Sequence, residues 1–204
     1  MKSLEDYIAL AAEQHHHLCP GQVLGVRMAM LGLRSLGIDE PEAHRKRLLT
    51  FVEIDRCATD AVSLVTGCRL GLRTLKYVDY GKVAATFVDL ETGRAVRVAA
   101  RDDSRLKAKA MFPEGSHPYR QQLEAYKVMD DRDLFVIESV RVALRPEDLP
   151  GRPRSRVTCE QCGEGVNDGR EARVDGQVLC QSCAGGGYYE RQELPGARQK
   201  PESV

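Results

Sequence analysis

The sequence predicts an α+β fold: a mixed or antiparallel sheet packed with helices, followed by a small C-terminal zinc-ribbon-like domain. Three observations carry this. Hydrophobic periodicity runs from helical to strand-like and back to helical along the first 145 residues. A stretch with Pro146, Pro150, Gly151 and Pro153 then interrupts it. Beyond that stretch lie two C-x-x-C pairs, Cys159/Cys162 and Cys180/Cys183.

The elements follow in order. Ser3, with Glu5 and Asp6 behind it, suits a helix N-terminus, because a hydroxyl accepts from a free backbone N–H and acids favour the positive end of the dipole. Leu4, Ile8, Ala11 and Ala12 share one face of that helix, which ends at His15-His16-His17. Pro20 suits the first turn of a second helix, whose apolar face is Val23, Leu24, Met28, Leu31 and Leu36 and whose C-cap is Gly37. Residues 48–54 read as a strand, and 57–66 as a short helix stopped by Gly67. Strands at 74–79, 82–89 and 94–99, with turns at Tyr80-Gly81 and Glu91-Thr92-Gly93, suggest a meander. Helices near 102–111 and 117–130 and a β-branched run over 134–144 complete the core. The expected organisation is therefore a core domain at 1–145, a linker at 146–156, a four-cysteine zinc finger at 157–190 and a mobile tail at 191–204.

The charge balance narrows the partners. Lys plus Arg equals Asp plus Glu, 30 of each, and the balance holds on both sides of the linker. A phosphate-gripping protein carries a basic excess, so nucleic acid is not an expected partner. No stretch reads as a signal peptide or a membrane span, which points to a cytoplasmic protein without a membrane partner. In that compartment seven cysteines argue for metal or redox chemistry over disulfides.

Cys159, Cys162, Cys180 and Cys183 are the expected ligands of one structural zinc ion. Two knuckles separated by 17 residues can supply a closed tetrahedral thiolate shell. Asp175-Gly176 between them is a hairpin turn. A second cluster lies near the N-terminus. His15, His17 and Cys19 alternate, so an extended loop could aim all three the same way, and Cys19 would sit at the positive end of the second helix, which favours a thiolate. Cys57 follows a strand end, Asp60 lies one helical turn on, and Cys68 flanks the same short helix. Isolated cysteines also serve as small buried hydrophobes, which is the plain alternative for Cys68. Together the cluster reads as a metal or reactive-thiol site.

Residues 15–25 (HHHLCPGQVLG), 53–62 (EIDRCATDAV), 65–71 (VTGCRLG) and 79–87 (DYGKVAATF) resemble the FmdE family, named for the E subunit of formylmethanofuran dehydrogenase. The resemblance spans the core and extends to a finger at 155–190. It implies an α+β core, a homodimer and a cleft in which His15, His17, Cys19 and Cys57 bind a second metal ion, expected to be zinc. The family usually has glycine between the two histidines, where this chain has His16. The implied function is a metal-binding accessory subunit, or metal-handling partner, of a molybdenum or tungsten redox enzyme in one-carbon or anaerobic metabolism. A stand-alone enzyme using His17, Cys19 and Cys57 as catalytic residues is the alternative, and a zinc-finger regulatory module a third.

Overall fold

The structure is a computed structural model and describes residues 1–41, 43, 47–112, 117–190 and 192. The expected tail at 191–204 falls, but for Gln192, outside these residues. The chain separates into two compact units, Met1–Gly151 and Arg152–Val204.

The first unit opens with α1 (Leu4–His15) and α2 (Pro20–Leu36), which precede β1 (Leu48–Val52), α3 (Cys57–Thr66), β2 (Leu75–Tyr77), β3 (Ala84–Asp89) and β4 (Ala95–Ala100). It closes with α4 (Ser104–Met111), α5 (Pro118–Val128), the single turn α6 (Asp131–Leu134) and β5 (Phe135–Val140). The local rules account for the boundaries. Ser3 and Asp6 form a reciprocal capping box on α1. Gly37 and Gly67 end α2 and α3 in the left-handed conformation that glycine adopts without steric cost.

The sheet order is β2-β1-β3-β4-β5, with β2 parallel to β1 and the other pairs antiparallel. The expected meander is therefore real only from β3 to β5. The Tyr80-Gly81 turn does not join β2 to β3 as a hairpin. Instead the N–H groups of Tyr80 and Lys82 donate to the Glu53 carbonyl at the end of β1, so β1 lies between the two. Helix α3 is the crossover that a parallel β1–β2 pair requires.

The sheet alternates with period two. Leu48, Val52, Phe87, Val96 and Val98 face the helices and form one core with Val23, Val26, Met28, Leu33 and Tyr126. Leu49, Val88 and Ala95 face the other way and are covered by Val140, Val142 and Leu144. The β-branched run at 134–144 thus stops pairing at Val140. Its remainder leaves the ladder and packs Val142 and Leu144 across the second face of the sheet. The segment continues to a 3₁₀ turn at Pro146–Asp148, where the Arg73 guanidinium donates to the Glu147 carbonyl. Leu72, Val142, Leu144, Leu149 and Pro150 line a groove of about 850 Å³ on this side.

One ion pair locks the sheet's register. Asp89, fully buried at the end of β3, takes two bonds from Arg47 at 2.6 and 2.7 Å, one from the Thr92 hydroxyl and one from the Glu91 N–H. The guanidinium holds the Asp89 carboxyl far below the usual carboxylate range, helped by those two donors. A carboxyl depressed in the folded state stabilises above the unfolded value of about 4, and that contribution disappears as pH falls through the folded value. Asp89→Asn should cost about 2–3 kcal/mol at pH 7 by leaving Arg47 without its partner. The gap between variant and wild type in urea denaturation should narrow as pH is lowered from about 5 toward 2.

Candidate metal centres

Helices α2 and α3 position the first site by packing very close. A methyl group on Gly25 would lie 2.3 Å from the Ala58 carbonyl oxygen and 2.8 Å from its Cα, so only glycine permits this approach. The contact brings the two helix N-termini side by side, with Cys19 capping α2 and Cys57 beginning α3. The Cys57 thiol is within hydrogen-bonding reach of Cys19. Gly21 leaves room beside them: a Cβ there would sit 3.7 Å from Cys19 Sγ and 3.6 Å from Cys57 Cβ.

Each cysteine is held by its own backbone frame. The Cys19 N–H donates to Gln22 Oε1 at 2.8 Å, while Cys19 Sγ accepts from the Gln22 N–H at 3.4 Å. Gln22 is itself buried and donates through Nε2 to the Ala11 carbonyl of α1 at 2.8 Å. On the other side Glu53 anchors the approach to Cys57. Its buried carboxylate receives Arg97 at 2.7 and 2.8 Å, and the Thr59 hydroxyl ties the Ile54 carbonyl to the first turn of α3. Burial pushes the Cys19 thiol up; the Gln22 N–H works against this and Cys57 adds to it. The thiolate expected from the helix end is thus offset by desolvation, and a cation is the natural group to restore it.

The histidines form a neighbouring pair. His15 and His17 meet edge to face with ring centroids 4.7 Å apart. His17 Nδ1 lies 3.1 Å from the His15 carbonyl, which can only accept, so the proton sits on Nδ1 and the lone pair on Nε2. That is the tautomer of a metal-ligating histidine with its second nitrogen satisfied. His15 Nε2 is 3.8 Å from Asp60 Oδ2 on the first turn of α3. His16 has φ 60°, the left-handed region. It caps α1 in the conformation a glycine takes freely, so the loop keeps the path that glycine would give it.

The four sequence candidates therefore lie as two adjacent pairs, Cys19 with Cys57 and His15 with His17. Cys68 stands apart. It is buried beyond the far end of α3, about 15 Å of helix from Cys57, and contacts the Thr50 hydroxyl and the Leu48 carbonyl. It is part of the core. Two neighbours escaped sequence reading. Gln22 carried no signal beyond its place in the second helix. Tyr119, on α5, donates through its hydroxyl to the Leu18 carbonyl at 3.0 Å. Burial, with the Cys19 and Cys57 thiols nearby, raises its pKa, so the phenol remains an O–H donor at neutral pH.

The second unit holds the other centre. Strands β6 (Arg156–Thr158) and β7 (Gly165–Asn167) pair, as do β8 (Ala172–Val174) and β9 (Gln177–Leu179), and α7 (Gln181–Gly185) follows. Asp175 and Gly176, both at positive φ, make the β8–β9 turn. Among the described residues, Cys159, Cys162, Cys180 and Cys183 are the one group of three or more such side chains whose ligand atoms all lie within 4.8 Å of one another. Cys162 Sγ and Cys180 Sγ are 3.9 Å apart, against about 3.8 Å for the edge of a tetrahedral zinc–thiolate shell. The Cys162 and Cys180 backbone N–H groups draw Cys159 down to about 6, while the Cys180 sulfur pushes Cys183 up to about 12. Four thiols this close cannot all ionise without a cation among them. The described part of this unit buries little besides Cys159, Asp168 and Leu179, so the metal supplies most of its folding free energy.

Comparison with known proteins agrees with this division. Residues 14–136 match the family described as FmdE, Molybdenum formylmethanofuran dehydrogenase operon. The chain belongs to the FmdE family. Residues 152–189 match the prokaryotic dksA/traR C4-type zinc finger. The FmdE chain is similar to a curated protein of Archaeoglobus fulgidus called a probable S-adenosyl-L-methionine-binding protein, at 32% identity over 203 residues. That match covers 88% of this chain and 52% of the relative, so the chain spans about half the relative's length. It is also similar to the crystal structure of an FmdE-like protein of tungsten formylmethanofuran dehydrogenase from Syntrophus aciditrophicus. The TM-score there is 0.59 at 26% identity, covering 93% of this chain and 96% of the other.

Two substitutions probe the first site. Gly25→Ala should cost about 1–3 kcal/mol, because the atoms it meets are backbone and cannot step aside; thermal and urea denaturation measure it. His16→Gly should stabilise the protein by about 0.5–1 kcal/mol by removing a side chain from left-handed backbone, read as a higher melting temperature.

Proposed function

We propose that this FmdE-family protein carries a second metal ion, zinc, in its core and serves as a metal-handling accessory subunit of a molybdenum or tungsten enzyme of the formylmethanofuran dehydrogenase type. The observation that carries the reading is the convergence of Cys19 and Cys57 at two adjoining helix N-termini. Cys19, Cys57 and His17 through Nε2 would hold the ion, with His15 braced by Asp60 beside them. The donor set fits: two soft thiols and an imidazole suit zinc, and Gly21 leaves space next to them. An ion held by three protein ligands keeps a position at which it can polarise an oxygen or be passed on.

The family description and the Syntrophus relative support the link to one-carbon redox chemistry. No helix among the described residues is long and apolar enough to cross a membrane. A cytoplasmic homodimer in which the finger contacts the partner enzyme completes the reading. The same three-ligand set also serves the alternative, an enzyme acting by itself with His17, Cys19 and Cys57 as its catalytic residues. Turnover by the isolated protein would favour that alternative, and co-purification with a large redox enzyme the accessory role.

Elemental analysis of the purified full chain tests the metal claim. Two zinc ions per chain are expected, one after Cys19→Ser with Cys57→Ser, and one after Cys159→Ser with Cys162→Ser. A single ion in wild type that survives the first pair and is lost with the second would refute the core site.

A further inference from the structure

The peptide joining Leu18 to Cys19 is held from both sides. Its N–H, on Cys19, donates to Gln22 Oε1 at 2.8 Å, and its carbonyl, on Leu18, accepts the Tyr119 hydroxyl at 3.0 Å. The peptide is planar, so two bonds on opposite edges fix its orientation. That orientation sets the torsions flanking it, and so where His17 and Cys19 project. The two clamps come from distant parts of the chain. Gln22 is tied to α1 through the Ala11 carbonyl. Tyr119 stands on the first turn of α5, 101 residues along the chain from Leu18, where its own N–H caps onto His117 Nδ1 at 3.3 Å. α5 is in turn tied to α2, since Arg27 donates to the Tyr126 and Met129 carbonyls at 2.9 and 2.6 Å.

We infer that Tyr119 is a positioning residue of the core metal site, clamping the Leu18–Cys19 peptide jointly with Gln22 so that the docking of α5 sets the site's affinity for metal. The inference rests on the reading that Cys19 and Cys57 are ligands, and it adds a residue that touches neither ion nor sulfur. Outer partners that orient a metal ligand commonly change affinity by about 10–100-fold when removed.

Cobalt(II) titration of the metal-stripped full chain, followed by ligand-field absorption, separates the possibilities. Wild type should bind two cobalt ions. Tyr119→Phe should keep the finger's tetrathiolate spectrum and the apo melting temperature, while the core site binds about 10-fold or more weakly with shifted bands. Gln22→Met should act alike. The double variant should lose less than the product of the two single losses, since both release one peptide. Wild-type affinity and spectrum at the core site of Tyr119→Phe would overturn the inference. So would a loss that extends to the finger's cobalt or follows a fall in melting temperature, which marks general destabilisation. Wild type binding one cobalt ion would remove the underlying metal reading, and is thereby told apart from failure of the clamp alone.

Discussion

The contact of α2 with α3 at Gly25 and Ala58 is the constraint on which the core site depends. Helices packed through ordinary side chains lie about 8–10 Å apart. Here a glycine faces a carbonyl with no room for even one methyl group, and the two N-termini arrive together. This approach is what brings Cys19 and Cys57, far apart in the chain, to one place. The surrounding polar contacts then refine a juxtaposition that packing has already made. Gln22 anchors one cysteine to α1, while Glu53 and Arg97 anchor the approach to the other from the sheet.

The two centres of this FmdE protein solve the same electrostatic problem by different means. In the finger, four thiols crowd together on short hairpins with almost no apolar support, so ion and fold depend on one another. In the core the scaffold is secured by a large hydrophobic cluster, and the cysteines are brought into place whether or not an ion is present. Burial there resists ionisation of Cys19. A structural role suits the first arrangement, and exchange suits the second.

Much of this was legible in the residues because the rules involved are local. Ser3 and Asp6, Pro20 and Gly37, and Cys57 and Gly67 mark helix ends through capping and left-handed turns that depend on a few neighbours. The C-x-x-C spacing defines the finger in the same way. What could not be read depends on distant partners. The Tyr80-Gly81 turn looks like a hairpin, yet its N–H groups close onto Glu53 of β1 and strand β2 pairs parallel instead. Tyr119 sits in a polar helix with no local mark of its purpose. The bulk of His16, at a place where relatives favour glycine, proved compatible with the same backbone path.

The path of the chain after β5 carries a practical consequence for dividing the molecule. Val142, Leu144, Leu149 and Pro150 belong to the underside of the sheet, and Glu147 is fastened to Arg73. The proline-rich stretch that resembles a tether is therefore, up to Gly151, a fastening of the first unit. A truncation at 145 would strip part of the lining from beneath the strands and leave a sticky, aggregation-prone remnant. A cut after 151 spares it, and any shuffling of the finger between proteins has to respect the same seam.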